Sequence, residues 1–161
     1  MPNDAPAKTL DELLDGYTIV MLMTMIGDDH SSRPLTVAEA AGDRLSFLVD
    51  RTVPWAAAIA DGAAVVHATV ADGKANTYLS LNGAASITAD RAEVDRLWSA
   101  AAGAFFDGKD DPAVGVLRFD VVDGEYWDGP SGKLGAAIAV VKAALTDDPD
   151  KAGEHGEIAT S

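Results

Sequence analysis

Apolar and polar residues follow one another along the first third of the chain in an order that predicts a β-meander. Residues 17–25 are almost uninterruptedly apolar and lead into the turn residues Gly27-Asp28-Asp29, a pattern typical of a strand that is buried on both faces. The segment from Ser32 to Glu39 follows within hairpin reach, and Leu45 to Val49 comes after a second turn at residues 41–43. We therefore expect three antiparallel strands here.

Three more strands are predicted in the rest of the chain, at residues 63–70, 77–88 and 114–122. The middle one alternates most plainly between apolar and polar positions, as a strand with one buried face does. Its internal glycine, Gly83, indicates a β-bulge or the close approach of another backbone. After the last strand, the pair Asp123-Gly124 is expected to turn or kink the chain into residues 125–128.

Four short helices are predicted by capping residues and by apolar residues at helical spacing. The first begins at Thr9, with Glu12 completing a capping box, and ends at Gly16; the second begins at Thr52, has Pro54 in its first turn and ends at Asp61-Gly62. The third begins at Asp90, with Glu93 completing a capping box, and the fourth runs from Lys133 to Leu145. The third carries an apolar stripe from Val94 to Ala101. That stripe predicts that Trp98 packs in the core or at a dimer interface.

These elements predict a single domain whose fold class is mainly β with α insertions, a small antiparallel β-barrel. The domain is expected to span residues 9–145 and to follow a loose leader at residues 1–8. Residues 146–161 are rich in Asp, Glu and Gly. We expect this acidic tail to be disordered, because it cannot bury enough apolar surface to offset the entropy lost on ordering.

Charge and composition exclude several classes of function. The 161 residues carry a formal net charge of -14, whereas binders of nucleic acid and polybasic binders of membranes need clustered lysine and arginine, so neither partner is expected. The absence of cysteine excludes thiol chemistry, and the three histidines, His30, His67 and His155, lack the paired spacing of a metal site. No secretory signal or membrane span is visible, which predicts a cytoplasmic protein.

One cation stands out as a candidate binding residue. Arg33 is predicted at the start of the second strand, where its guanidinium can project at the mouth of the barrel rather than into the packed interior. The alternative is a salt bridge between Arg33 and one of the many acids nearby. No nucleophile elbow, Walker loop or dinucleotide fingerprint occurs, so no catalytic residue is assigned.

Five short motifs occur in order between residues 10 and 145. They are Met21-Leu22-Met23-Thr24 leading to Ser32-Arg33-Pro34-Leu35, Leu45 to Asp50 before a short helix, Tyr78 to Ala85, Leu97-Trp98 ahead of residues 104–112, and Glu125 to Pro130. In this order and spacing the chain resembles the split-barrel flavin-binding superfamily typified by pyridoxamine 5'-phosphate oxidases. It is most similar to the bacterial general stress protein branch of that superfamily.

The resemblance implies a six-stranded antiparallel split β-barrel that forms a homodimer, with a flavin in each of two clefts between the subunits. It implies that Arg33 contacts the flavin phosphate and that the segment entering the short helix supplies further donors. Here the chain departs from the oxidase pattern, because Val49, Val53 and Trp55 stand where threonine, serine and lysine are expected. Arg51 and Thr52 are close enough in sequence to compensate in part.

The cofactor-binding residues implied in this way are Arg33, Pro34, Leu35, Val49, Asp50, Arg51, Thr52, Trp55, Tyr78 and Ser80. Trp55 is interpreted either as a stacking platform or as filler of a vacated phosphate pocket. Tyr78 and Ser80 face the polar side of their strand, where they contact a ring edge or are exposed to solvent or to a subunit interface.

The function implied is that of an FMN-binding flavoprotein of the general stress type, an oxidoreductase whose substrate the sequence does not name. Three alternatives stay open: a non-catalytic flavin-binding stress protein, a protein that binds FAD or a deazaflavin, and a dimeric barrel without cofactor. The pyridoxamine phosphate oxidase reaction itself is not expected, because the chain lacks the C-terminal arginine and histidine pair with which that enzyme holds its substrate.

Overall fold

Eight antiparallel strands form one sheet in the computed structural model, which describes residues 9–14, 16–128, 154–158 and 160. The strands are β1 Ile19–Ile26, β2 Asp29–Thr36, β3 Glu39–Ala41, β4 Arg44–Asp50, β5 Val65–Asp72, β6 Thr77–Thr88, β7 Val114–Asp128 and β8 Glu154–Glu157. The helices are α1 Leu10–Leu14, α2 Pro54–Ala60 and α3 Arg91–Leu97, with a 3-10 turn at Ala102–Ala104. The strand order is β2-β1-β5-β6-β7-β4-β3, and β8 pairs with β7.

The two ends of this sheet are joined through the chain itself. The Val37 N–H donates to Thr18 O at 2.8 Å, beside β1, and the next N–H, that of Ala38, donates to Ser46 O at 2.8 Å, on β4. Within two residues the backbone passes from one end of the sheet to the other, so the sheet curls around its core. The expectation of six strands is therefore corrected to eight, and across the described residues the sheet does not close through a ladder between β2 and β3.

The core lies on the inner face of the curled sheet. On β1, Val20 and Leu22 are fully buried, whereas Ile19 is 54% exposed and Met21 39% exposed. The expectation that this strand is buried on both faces was wrong, because no second layer of the described residues covers its outer face. The inner face packs against apolar side chains of β4, β6 and β7, and the α1 leucines close it.

A bulge bends the longest strand pair. Asn82 pairs with Asp123 and Gly83 with Val121, so Val122 is the extra residue on β7. A Cβ on Gly83 would lie 2.2 Å from the carbonyl oxygen of Asp120. Both predictions for Gly83, a bulge and a close backbone approach, are confirmed, and β7 continues through the Asp123-Gly124 pair as one strand.

The helix predictions are confirmed in part. In α1, Thr9 and Glu12 form the expected capping box, with the Thr9 N–H donating to Glu12 Oε2 at 2.9 Å. Thr52 does not cap α2: the N-cap is Val53, with no side-chain bond, although Pro54 does occupy the first turn. The Asp90 cap of α3 is present, with Asp90 Oδ1 accepting from the Ala92 N–H.

The third helix is shorter than its apolar stripe predicts. It ends at Leu97, because Trp98 already adopts an extended backbone, and Ala101 is exposed. Trp98 nevertheless packs on a small second cluster formed by residues of α3 and β7, with its ring 6.2 Å from that of Phe106. The stripe thus marks Val94, Leu97 and Trp98 correctly as packing residues, but it is wrong for Ala101 and overestimates the length of the helix.

Several predictions concern residues outside the described ranges, namely the leader at 1–8 and the helix at 133–145. The expected disorder of the acidic tail does not hold for Glu154–Glu157, which form β8 on β7. Among the described residues, no helix has the length and apolar character that crossing a membrane requires.

Candidate functional site

Arg33 lies in the middle of β2, with its side chain on the inner face of the sheet. Its cross-strand partner on β1 is the fully buried Leu22, and directly paired residues share a face. Nη2 of Arg33 donates to Thr24 Oγ1 at 3.1 Å and to Ser31 Oγ at 2.5 Å. The guanidinium lies against the Trp55 indole, with Cζ 4.4 Å from the ring centroid. The expectation that Arg33 begins its strand and projects freely at the mouth of the barrel was therefore wrong.

The other terminal nitrogen of this guanidinium, Nη1, is buried and has no hydrogen-bond partner among the described residues. Burial lowers the pKa of Arg33 from its ordinary value, and the negative charge of Asp29 opposes that shift. No described carboxylate lies within ion-pair distance of the guanidinium, so the alternative of a salt bridge is not realised there. A buried donor without an acceptor costs about 1–3 kcal/mol. The position therefore favours an acceptor oxygen, either of water or of an anion.

The connection from β4 to α2 uses its polar groups internally. The N–H and the Oγ1 hydroxyl of Thr52 donate to Asp50 Oδ1 at 2.8 and 2.6 Å, and these bonds, the hydroxyl first, lower the pKa of Asp50. Arg51 Nε donates to the carbonyl of Pro112 at 2.8 Å. These donors are already occupied, so the N–H and hydroxyl of Thr52 and the Nε of Arg51 do not replace the phosphate ligands that the oxidase pattern would supply.

The remaining predicted residues lie elsewhere. Val49 is 2% exposed and points into the core, against which Leu35 also packs, while Pro34 is exposed on the other face of β2. Tyr78 and Ser80 alternate with buried leucines on β6 and lie on the outer face of the sheet. The structure thus brings Arg33 and Trp55 together but separates them from Tyr78 and Ser80 by the sheet itself.

A chain of hydrogen bonds crosses three strands beside Ser80 on that outer face. Ser80 Oγ lies 3.2 Å from His67 Nε2 on β5. His67 Nδ1 lies 2.8 Å from Asn82 Oδ1 on β6, and Asn82 Nδ2 donates to Asp123 Oδ1 on β7 at 2.7 Å. We refer to these four residues as the Ser80 chain.

Sequence reasoning missed the polar partners in both places. Thr24 sits inside an apolar run, where a fully buried hydroxyl gives no signal of its own. His67 was considered only as a metal ligand and set aside because the histidines lack the paired spacing of a metal site. Alternation along β5 does place His67 on the polar face, but its contacts with Ser80 and Asn82 depend on cross-strand register, which the sequence does not give.

A charged cleft between β3, β4 and α3 is not an alternative anion site. Its arginines are neutralised by carboxylates: Arg44 by Asp120 at 2.6 Å, and Arg96 by Glu39. Among the described residues, no three His, Cys, Asp or Glu side chains converge as a metal ion requires. Among the described side chains, Arg33 thus carries a buried nitrogen, Nη1, that lacks a hydrogen-bond partner.

The residues around Arg33 fit part of a flavin phosphate. Arg33 offers one donor nitrogen, Nη1, and Thr24 and Ser31 hold the guanidinium from the other side. A phosphate is ordinarily held by several charge-assisted hydrogen bonds. The described residues fit one acceptor oxygen of such a group at Nη1, beside the Trp55 indole that stacks on the guanidinium.

An antiparallel sheet curled around a core, with short helices packed against its strands and a cation held on its inner face, defines a mainly β domain of the split-barrel type. The chain belongs to the family described as pyridoxamine 5'-phosphate oxidase like, whose model matches residues 5–150. The resemblance inferred from the sequence motifs is therefore confirmed. No curated protein matches the chain.

Solved structures agree with this assignment. A candidate general stress protein 26 from Jannaschia sp. CCS1 is 26% identical, with a TM-score of 0.74 over 91% of this chain and 93% of that one. A general stress FMN/FAD binding protein from Xanthomonas citri is 27% identical, with a TM-score of 0.65 over 75% of this chain and 87% of that one. A protein related to general stress protein 26, from Clostridium acetobutylicum, is 21% identical with a TM-score of 0.65, covers 73% and 84% of the two chains, and shows the shared fold alone.

Proposed function

We propose that this protein binds a flavin-type cofactor, FMN in the first instance, and acts as an oxidoreductase on a substrate not yet identified. The observation that carries the proposal is the buried, unpartnered Nη1 of Arg33, which needs an acceptor oxygen. The family and the Xanthomonas citri neighbour, named as an FMN/FAD binding protein, support a flavin as the source of that oxygen. When bound, the ring would supply the redox chemistry, while the protein supplies position and electrostatics.

Arg33→Ala tests the anchor directly. The purified protein is titrated with FMN, and binding is followed by quenching of flavin fluorescence. Loss of a charge-assisted hydrogen bond is expected to weaken binding roughly tenfold to 150-fold. Arg44→Ala is the matched control, because Arg44 is an exposed arginine paired with Asp120. Equal affinity in the two variants, or no FMN binding by the unaltered protein, contradicts the proposal.

Trp55 decides how the anion reaches Arg33. The indole covers the guanidinium, so removing it exposes Nη1 if Trp55 is filler, and Trp55→Ala is then expected to bind FMN more tightly. If the indole is instead a stacking platform, the same variant binds FMN more weakly. The sign of the change separates the two interpretations.

We further propose that the protein is a homodimer that uses the outer face of the sheet. Five of its exposed large apolar side chains occupy the strands of this face: Ile19, Met21, Val65, Tyr78 and Trp127. Exposed apolar patches of this kind mark association surfaces. Met21→Asp is expected to raise the monomer fraction in light scattering, whereas Phe105→Asp, at an exposed residue outside these strands, is not. A monomeric unaltered protein refutes the dimer.

A non-catalytic flavin binder is the second candidate. It is favoured by one observation: the donors of Thr52 and the Nε of Arg51 are occupied, so the site offers little beyond an anchor. NADPH is added to the FMN-loaded protein and the flavin absorbance is followed. Reduction much faster than that of free FMN supports the oxidoreductase, and a rate equal to that of free FMN supports the binder.

A further inference from the structure

The direction of every hydrogen bond in the Ser80 chain is fixed from its carboxylate end. An ionised carboxylate only accepts, so Asp123 requires the amide NH2 of Asn82 to point towards it. Asn82 Oδ1 must then face His67 Nδ1 and can only accept from it. In the neutral imidazole the proton therefore sits on Nδ1, and Nε2 is left as an acceptor.

The direction of these hydrogen bonds determines whether Ser80 donates to, or accepts from, a partner on the outer face of the sheet. Because Nε2 of His67 accepts, the Ser80 hydroxyl hydrogen is directed at it over the 3.2 Å contact. The lone pairs of Ser80 Oγ remain for a partner on the outer face. Ser80 is thus an acceptor, and a ligand that meets it must bring a donor.

An aromatic pair lies next to this acceptor. Tyr78 and Trp127 are directly paired across β6 and β7, and Ser80 pairs with Glu125 one step further along the same face. The aromatic residues are 38% and 39% exposed. Successive outward residues on a strand are roughly 6–7 Å apart, so a planar ring lying on this pair places its edge within reach of Ser80.

We infer that Ser80 accepts a hydrogen bond from a ring N–H of a planar heterocyclic ligand, and that Asp123, through Asn82 and His67, is the positioning residue that keeps Ser80 an acceptor. The ligand class rests on the proposed function, since an oxidised flavin ring carries one N–H, at its N3 position. The order of the bonds in the Ser80 chain does not depend on any ligand.

The first test uses the protein without cofactor. Long-range proton–nitrogen NMR identifies the tautomer of each histidine, and His67→Gln assigns the His67 signals. The Nδ1–H tautomer is expected for His67. Asp123→Asn replaces an obligate acceptor by an amide that can also donate, so the Nε2–H tautomer should appear. Glu125→Gln, the same charge change on the same face, should leave the tautomer unchanged. A dominant Nε2–H tautomer in the unaltered protein, or equal effects of the two variants, overturns the positioning role.

The second test compares binding of FMN with binding of its N3-methyl derivative. The unaltered protein is expected to prefer FMN, and Ser80→Ala should reduce that preference about threefold to tenfold, the loss of one hydrogen bond. Thr69→Ala is the control, because Thr69 is the hydroxyl residue paired with Ser80 on β5. An unchanged preference in Ser80→Ala overturns the contact. If FMN does not bind at all, the proposed function and the assigned ligand both fail, while the tautomer result still decides the order of the chain.

Discussion

Gly83→Ala is the substitution whose effect the geometry determines most directly. The new methyl carbon would stand 2.2 Å from the carbonyl oxygen of Asp120 and 3.0 Å from a ring carbon of Phe119. Carbon–oxygen contacts between strands normally lie at about 3.3–3.6 Å, so the strands must separate by roughly 1 Å. They are held together on both sides of this point by the longest ladder in the sheet. Neither the strand nor the carbonyl can yield alone.

The magnitude follows from these contacts. Overpacking costs about 1–3 kcal/mol, and each weakened ladder bond adds about 1 kcal/mol, which gives roughly 2–4 kcal/mol. For a chain of this size, 1 kcal/mol corresponds to about 2–4 °C in Tm, so a fall of roughly 4–16 °C is expected. Thermal and urea unfolding measure it.

Gly103→Ala is the matched control, because no atom lies within 4 Å of a Cβ at Gly103 and its φ is not positive. It should change the free energy of unfolding by less than about 1 kcal/mol, in the stabilising direction if at all. If Gly83→Ala proves as stable as Gly103→Ala, the close approach of β6 and β7 at the bulge is refuted. Because Asn82 directly precedes the bulge, Gly83→Ala should also displace Asn82, and the Nε2–H tautomer of His67 should then appear.

Two further predictions concern buried or half-buried charges. Arg118 donates to Glu93 and lowers the pKa of that carboxyl, so the pair stabilises the fold above the ordinary pKa of glutamate and loses its effect as pH falls through the lower folded value. Glu93→Gln should therefore cost about 1 kcal/mol at pH 7 and nothing well below pH ~4, whereas removing the exposed Asp120 partner of Arg44 should cost less than about 0.5 kcal/mol. Arg91 donates to three carbonyls between residues 109 and 114. Arg91→Lys should lose about 1–3 kcal/mol and speed amide hydrogen exchange in that loop, and normal exchange there contradicts this role.

The fold could be predicted from the sequence wherever one residue type fixes a local conformation. The strand at residues 77–88 begins and ends where alternation predicts, and Gly83 marks its bulge correctly. An apolar run, however, carries no information about how many faces are buried. The methionine-rich strand β1 was therefore predicted to be buried on both faces, whereas one of its faces is open. Likewise β8 is a polar segment whose strand conformation comes from the backbone of β7, so composition alone predicts disorder.

The candidate site could be predicted only in its charged residue. Arg33 was identified from its expected position at the mouth of the barrel and from its place in the family resemblance, but the side of the sheet that it faces depends on the register with β1. Its hydroxyl partners could not be predicted in the same way, because the pairing of β1 with β2 is what brings Thr24 beside Ser31 and Arg33. The Ser80 chain joins three strands that are distant in sequence, and no local sequence pattern predicts it.

The opposite placement of Arg33 and Ser80 constrains how one ligand could use both. They lie on different faces of the sheet, and β2 and β6 are three strand spacings apart, roughly 14 Å along the sheet. Because the sheet separates them within one copy, a shared ligand must take Arg33 from one subunit of the proposed dimer and Ser80 from the other.

Mixed dimers test this arrangement. Arg33→Ala and Ser80→Ala chains are denatured together, refolded as a mixture, and the heterodimer is isolated by two affinity tags. If the two residues act from different subunits, one site of the heterodimer carries both changes and the other carries neither, so half a complement of FMN binds with the affinity of the unaltered protein. If both residues act from the same subunit, each site has one defect and no tight site appears. Two weak sites in the heterodimer would therefore rule out a ligand shared between subunits.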